Sequence, residues 1–374
     1  MPDNQEKKVE YLELIYDLIF VYLIGRNNEV LRYVEDGFVS GRTVFAFILC
    51  SLAVIQIWNF STIYINLYGR NNVREHVFLF SNMYLLYHMA DGIRTGWHDS
   101  FYQFCIAWAL ILANIGLQHL IEMRQHKAEP RVLEMLKRKA LIIFGEVVLI
   151  LVHMLVYTYT GVTIAYVPIL FGFVANAASR KVNLMVPVDF NHLTERAMLY
   201  VVFTFGEITI SLTGYFGGNV TANGVYFSLM AFLIVVGLFL IYEIMYNKIV
   251  DRDMTTNGTT YMMIHVFLIL ALSGISVALE FMREAEVDIT AKTLFIAGSI
   301  LIYFVCILLL GIYARSRECF NRQFFIITGV TGVAFLVLMF IFRNNMYLNI
   351  AVSVVYVMTV FFMLYKRSKN CIME

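Results

Sequence analysis

Long apolar segments separated by short polar stretches run along almost the whole chain. The apolar segments are continuous and about twenty residues long, which is the length of a helix that crosses the hydrocarbon core of a bilayer. They do not alternate apolar and polar residues, as the strands of a membrane barrel do. The pattern predicts twelve transmembrane helices, at residues 9–25, 43–67, 76–93, 101–122, 139–159, 162–178, 196–216, 224–246, 259–282, 293–313, 323–342 and 347–365.

The composition strengthens this interpretation. Hydrophobic residues make up 60% of the 374 residues and charged residues only 15%, and the mean hydropathy is +0.71. Soluble domains carry about 25% charged residues, and a soluble fold could not hide so much apolar surface. We therefore predict an all-α polytopic membrane protein with a single integral membrane domain.

The positions of lysine and arginine indicate an orientation. With the N-terminus in the cytoplasm, most of the 28 basic residues fall on the cytoplasmic side, as the positive-inside rule requires. Both termini are then cytoplasmic. The order of spans in residues 1–187 recurs in residues 188–374, which suggests two parallel six-helix repeats. Chance explains this equally well, because any chain of evenly spaced spans superimposes on its own second half.

Two acids lie inside the first apolar segment. Glu13 and Asp17 are four residues apart, so they share one face of a helix. A charged side chain at the bilayer centre costs about 2.5–3.5 kcal/mol in insertion measurements. The first helix must therefore turn both acids toward protein or water.

A second group of ionisable residues belongs to the seventh predicted span and its approach, and it comprises His192, Glu195, Arg196 and Glu207. His192 and Arg196 are one helical turn apart, and Glu207 returns to the face of Arg196 after three turns. The spacing predicts an imidazole, a base and an acid at the cytoplasmic mouth, with a second acid deeper in the membrane. An interfacial anchor is the alternative for Glu195 and Arg196.

Polar side chains also follow one face of two further spans. They are Trp58, Thr62, Tyr64 and Asn66 in the second span, and Glu146 and His153 in the fifth. Polar contacts that hold helices together explain such stripes as well as a functional role does. Intramembrane ionisable residues are, however, by default ion pathways, proton relays or substrate contacts. We interpret all of these residues as candidates for substrate or ion binding.

Motifs for other chemistry are missing from the sequence. It contains no Gly-rich phosphate loop, no His-Glu-x-x-His and no Gly-x-Ser-x-Gly motif, and its five cysteines lack metal-ligand spacing. No basic run with interleaved aromatic residues suggests a nucleic-acid partner. We therefore expect no enzyme activity, no catalytic residues, no metal, no cofactor and no nucleic-acid partner.

The segments that carry the charged candidates resemble a known family. Residues 12–21, Leu-Glu-Leu-Ile-Tyr-Asp-Leu-Ile-Phe-Val, are similar to the opening signature of the bacterial low temperature requirement A family, Leu-Glu-Leu-Phe-Phe-Asp-Leu-Val-Phe-Val. Residues 192–207 resemble its second signature, His-Leu-x-Glu-Arg followed by Leu-Gly-Glu. Ile15 and Tyr16 replace the paired Phe, and Phe205 replaces a Leu, so no charged position differs.

The second-span residues Trp58, Thr62, Tyr64 and Asn66 also look like the pattern of this family. The resemblance implies a multi-pass protein of the bacterial inner membrane, in a family named for a growth requirement in the cold. It brings no settled molecular activity, so the chemistry must be argued from the residues.

We interpret the chain as a proton-linked secondary transporter of a small or organic solute. Glu13, Asp17 and Glu207 would line a central cavity, and Arg196 would hold a counter-charge or an anionic group of the solute. His192 would gate protonation from the cytoplasm. Trp58 and Tyr64 would stack against an organic solute.

Three other functions are compatible with the same residues. They are an ion or proton channel, a lipid-binding or lipid-modifying protein involved in cold adaptation, and a sensor or scaffold without flux. Membrane lipids and a small molecule or ion are the expected partners, and a homo-oligomer is left open.

Overall fold

The computed structural model describes residues 8–32, 34, 36–93, 97–216, 221–316 and 320–372. Within these residues the chain is helical, without β-strands. The helices are α1 (Tyr11–Val30), α2 (Gly41–Tyr68), α3 (Val73–Asp91), α4 (Trp97–Gln125), α5 (Pro130–Thr160), α6 (Tyr166–Ala178), α7 (Arg180–Asn183), α8 (Phe190–Ser211), α9 (Ala222–Ile244), α10 (Thr259–Phe281), α11 (Ile289–Leu310), α12 (Arg322–Ile341) and α13 (Met346–Ile372).

Every predicted span overlaps one of these helices, and only the four-residue α7 was not predicted. Among the described helices, nine are long and apolar enough to cross a membrane, namely α2, α4, α5 and α8 to α13. Helices α1 and α3 carry more polar residues, and α6 has only 13 residues. The twelve crossings, the repeat and the cytoplasmic termini remain predictions; residues 1–7 and 373–374 lie outside the described residues.

The helix boundaries follow from local sequence. The side chain of Asn72 accepts a hydrogen bond from the Glu75 backbone N–H and so caps the start of α3. Helix α5 begins with Pro130, which has no N–H to leave unsatisfied. The last residue of α5 is Thr160, and Gly161 caps the helix. The φ of Gly161, +68°, is the left-handed conformation that glycine adopts without a steric cost.

The chain forms two compact units. The first comprises Met1–Val30, Arg42–Tyr200 and Asp253–Val266, and the second comprises Leu31–Gly41, Val201–Arg252 and Phe267–Glu374. The proposed repeat of residues 1–187 in residues 188–374 is a matter of sequence similarity, and it stays a prediction.

Helix α2 is the central helix of the first unit. All of its residues from 53 to 66 are buried, whereas a helix at the edge of a bundle buries only one stripe. The polar side chains of α2 therefore face protein on every side. This arrangement requires that neighbouring helices supply their hydrogen-bond partners.

Candidate functional site

Glu13, Asp17, His192 and Arg196 meet inside the first unit, and we call these four residues the charged cluster. Arg196 Nη2 donates a hydrogen bond to Asp17 Oδ1 over 2.5 Å. Arg196 Nη1 lies 3.4 Å from Glu13 Oε2, and His192 Nε2 lies 3.5 Å from the same oxygen. Helix α1 supplies both acids from one face, and the first turns of α8 supply the base and the imidazole.

The charged cluster is shielded from the surroundings of the protein. Asp17 and Arg196 are 0% exposed, and Glu13 and His192 are 4% and 1% exposed. Both acids thus face the protein interior, as the sequence pattern requires. Unpaired charges at such depth would be strongly destabilising, because each would lose its hydration without compensation.

Trp58 fixes the Asp17–Arg196 pair from the central helix. Its Nε1 donates to Asp17 Oδ1 over 2.8 Å, so this oxygen accepts from both Trp58 and Arg196. The Trp58 ring packs against Tyr200, with centroids 4.5 Å apart. Asp17 therefore joins α1, α2 and α8 through charge-assisted hydrogen bonds.

Asn66 determines which nitrogen of His192 carries hydrogen. Asn66 Oδ1 accepts from the Asp189 N–H, and its Nδ2 donates to the Asp189 carbonyl and to His192 Nδ1 over 3.0 Å. The Asp189 N–H must face the oxygen of the Asn66 side-chain amide, and the Asp189 carbonyl must face its NH2 group. These two bonds leave only one orientation for the Asn66 amide. His192 Nδ1 is thus an acceptor, and the hydrogen of the neutral ring is on Nε2, facing Glu13.

These contacts give the charged cluster an unbalanced charge. Two carboxylates face one guanidinium and a neutral imidazole, so the charges of these four side chains sum to minus one when no further proton is bound. In a medium that solvates charge poorly, an excess charge is costly and its neutralisation is favoured. The arrangement is therefore chemically suited to bind one proton or another small cation.

A cleft of about 660 Å³ leads to the charged cluster from one end of the first unit. It lies among the start of α1, the end of α2 and the start of α3. Glu13 and Asn66 belong to its lining, together with the exposed Lys8 and Glu10. Glu13 is the member of the charged cluster that borders this space.

A second ionic network lies beside the cleft, and the sequence did not reveal it. Arg74 donates to Glu75 Oε1 from Nε and Nη2, over 3.0 and 2.7 Å, and also to Glu122. Tyr64 and Gln118 donate to the two oxygens of Glu75. Acids and bases at helix ends are common, so only their pairing between helices distinguishes these residues.

The remaining second-span and α8 candidates have these positions. Thr62 and Tyr64 are buried in α2, and the Tyr64 hydroxyl donates to Glu75 over 3.2 Å. Glu195 is half-buried on α8. Trp58 and Tyr64 are each only 1% exposed, so in this structure protein groups occupy their faces and edges. Their stacking against a solute stays a prediction.

Glu146 and His153 lie apart from the charged cluster, although all of them belong to the first unit. Glu146 lies next to Gln56 of α2, across Gly172 of α6. His153 Nε2 is 3.2 Å from Thr163 Oγ1. Both residues are buried, and their neighbours differ from those of Glu13.

Glu207 belongs to the second unit. Ser276 donates a hydrogen bond to Glu207 Oε2 over 3.2 Å, and the Ser276 hydroxyl lies 3.4 Å from that of Ser211. A central cavity shared by Glu13, Asp17 and Glu207 remains a prediction.

No group of three or more His, Cys, Asp or Glu residues suited to a metal ion occurs in the described part of the chain. The contacts that the cluster makes are ion pairs and hydrogen bonds.

We expect that Trp58→Phe destabilises the fold more than Trp108→Phe, by about 1.5–3 kcal/mol, the usual contribution of a hydrogen bond to a charged group. Both indoles are 1% exposed, but Trp108 Nε1 has no hydrogen-bond partner within the described residues, so the pair isolates the bond to Asp17. Thermal unfolding of the two purified variants measures the difference. Equal losses would show that the bond to Asp17 contributes nothing.

We expect that Gly172→Ala lowers the free energy of unfolding by about 1 kcal/mol, the low end of overpacking costs, because the atoms in the way belong to the ends of the flexible Gln56 and Glu146 side chains. A Cβ at Gly172 would collide with Gln56 Nε2 and with Glu146 Oε2. Gly329→Ala in α12 is the control, because its Cβ would meet nothing within 4 Å. Similar unfolding temperatures for both variants would contradict the close packing of α5 and α6.

The sequence was compared with protein families, curated proteins and solved structures. The family described as "Bacterial low temperature requirement A protein (LtrA)" matches residues 8–364. This range contains every residue of the charged cluster and both signature segments. No curated protein and no solved structure matched the chain.

Proposed function

The chain belongs to the bacterial low temperature requirement A family of membrane proteins, and we propose that it is a proton-linked secondary transporter of a small or organic solute in the bacterial inner membrane. The observation that carries this proposal is the charged cluster, with its one excess negative charge, at the inner end of a cleft. A buried site that is neutral only when a cation is bound, and that borders an accessible space, is what coupling to protons requires.

Glu13 is the proton acceptor in this proposal. The hydrogen bonds from Arg196 and Trp58 both reach Asp17 Oδ1, and Asp17 Oδ2 is buried outside the lining of the cleft. His192 Nδ1 already accepts from Asn66. A second proton on His192 would have to displace the Asn66 amide, because two donors cannot face each other. Glu13 borders the cleft, so an O–H bond forms there when a proton arrives and breaks when it leaves.

Arg196 then acts as the permanent counter-charge rather than as an anchor for an anionic solute. Its guanidinium is fully buried between the two acids. It keeps the deprotonated cluster at a single excess charge, instead of two, so that the loss of one proton is tolerated. The solute would bind in the cleft, beside Glu13 and the rim residues Lys8 and Glu10.

Proteoliposomes with an imposed pH difference test the proposal. Vesicles that contain the purified protein are incubated with a mixture of small metabolites from bacterial cells, and the accumulated compounds are identified by mass spectrometry. We expect at least one solute to accumulate in a saturable manner, and a protonophore to abolish this accumulation. Protein-free vesicles are the control.

The same experiment separates the alternatives. Proton movement without accumulation of any solute would favour an ion or proton channel and would overturn the proposal that the protein is a transporter. Absence of both, with lipid retained between the helices after purification, would favour lipid binding. Equal accumulation of a solute with and without the imposed pH difference would contradict the coupling to protons.

A further inference from the structure

Glu146 is a buried ionisable side chain outside the charged cluster. It lies in the middle of α5 and is 0% exposed. Neither of its carboxylate oxygens has a hydrogen-bond partner among the described residues, and no basic side chain described in the structure forms an ion pair with it. An ionised carboxylate in such a place would lose its hydration and gain nothing in return.

Hydrogen-bond acceptors without a partner among the described residues lie around Glu146. Its neighbour Gln56 donates from Nε2 to the Ile169 carbonyl over 3.2 Å, and Gln56 Oε1 has no hydrogen-bond partner among the described residues. Gly172 lets both side chains approach, since any Cβ there would collide with each of them. Glu146 Oε1, Glu146 Oε2 and Gln56 Oε1 are all acceptors without a partner among the described residues, and only the second hydrogen of Gln56 Nε2 is near them. A proton on Glu146 therefore adds a donor where acceptors are in excess.

Two other titratable groups share the face of α5 that carries Glu146. Lys139 and His153 lie seven residues before and after it, which is about two turns in each direction. Lys139 is buried and donates to Asn176 Oδ1. His153 is buried too, between Cys105 Sγ at 3.9 Å and Thr163 Oγ1 at 3.2 Å.

We propose that Glu146 is a second proton-binding site, which exchanges its proton through His153 and is independent of the charged cluster. On uptake an O–H bond forms at Glu146. On release that bond breaks, and the proton crosses about 10 Å, the rise of seven helical residues, through transiently entering water to a ring nitrogen of His153. That nitrogen accepts the proton when its contact with Thr163 or Cys105 opens, and the proton then leaves through the loop between α5 and α6.

Few other titratable groups could influence this exchange. On α4, Cys105 contacts His153 and His119 lies near Lys139. On α2, Cys50 lies near Cys105. Arg180 and Lys181 on α7 are exposed. None of these five residues carries a carboxyl group, so Glu146 is the carboxyl group among them that can carry the proton.

Infrared difference spectroscopy of the purified protein in lipid tests the proposal, because a protonated carboxyl group has its own C=O stretching band. We expect a component of this band that is present in the wild type and in Glu13→Gln but missing from Glu146→Gln, whether or not Glu13 is protonated. The matched control is Glu134→Gln, which makes the same change at an exposed position of α5 and should retain the band. Glutamine resembles the protonated acid in shape, so folding should persist.

Hydrogen exchange tests the route. After transfer to heavy water the Glu146 band should shift, and His153→Phe should retain the band but slow its shift. The proposal would be overturned if no band could be assigned to Glu146, or if the band shifted at the same rate in His153→Phe as in the wild type. Solute uptake by Glu13→Gln tests the charged cluster, whereas the infrared band tests Glu146. If Glu13→Gln loses uptake but keeps the Glu146 band, the two sites are independent, and either proposal can fail without the other.

Discussion

Replacing Arg196 by Met should lower the free energy of unfolding by about 3–5 kcal/mol, which is the usual result of breaking a buried ion pair by removing one partner. The substitution keeps a long apolar side chain but removes the only permanent positive charge of the charged cluster. Glu13 and Asp17 would then lose the guanidinium that both of them face. Thermal unfolding of the detergent-solubilised protein, followed by tryptophan fluorescence, measures the loss.

A charge-neutral variant separates electrostatics from packing. In Glu13→Gln/Asp17→Asn/Arg196→Met the cluster has no formal charge, and buried ion pairs can be replaced by apolar or neutral groups at little cost. We expect the triple variant to recover most of the stability that the single variant loses. Arg131→Met, at an exposed position, should have little effect. A triple variant as unstable as Arg196→Met would show that packing, not charge, holds the three helices together.

Replacing Glu13 by Gln should abolish solute uptake driven by a pH difference, while leaving the unfolding temperature close to that of the wild type. The amide that replaces the carboxyl group cannot ionise, and Asp17 and Arg196 then balance each other without any proton. The site loses the state that binds a proton, although Trp58 and Arg196 still hold Asp17. Uptake of the accumulated solute into proteoliposomes at several imposed pH differences provides the measurement.

Glu10→Gln is the matched control for Glu13→Gln. Glu10 lines the same cleft but is exposed, so its carboxyl group is solvated in either protonation state. Uptake by Glu10→Gln should respond to the pH difference as in the wild type. Normal uptake by Glu13→Gln would contradict the assignment of Glu13 as the coupling acid, whatever the stability of the variant.

The cost of buried charge made part of the site predictable. Because Glu13 and Asp17 share a face in an apolar segment, they had to turn inward, and the structure confirms that they do. The partner of Asp17 is 179 residues away in the chain, and spacing within one helix cannot show which other helix it meets. Glu13 and Asp17 look equivalent in the sequence, and only their contacts with other helices and with the cleft distinguish them.

The helices were predictable for a simpler reason. A span must be long and apolar to cross a bilayer, so its position can be read from any single segment. The network of Arg74, Glu75 and Glu122 could not be read in this way, since its members lie near helix ends where charges are ordinary. Lys139 was missed because it stands at the start of an apolar run, and its contact with Asn176 comes from packing of α5 and α6.

The proton content of the charged cluster is the most direct test of its role. Purified protein in weakly buffered solution is titrated from alkaline to mildly acidic pH, and the protons taken up per chain are counted for the wild type and for Glu13→Gln. We expect the wild type to bind one more proton per chain, with a change in Trp58 fluorescence that the variant lacks. Equal proton uptake and equal fluorescence changes in the two proteins would contradict proton binding at Glu13.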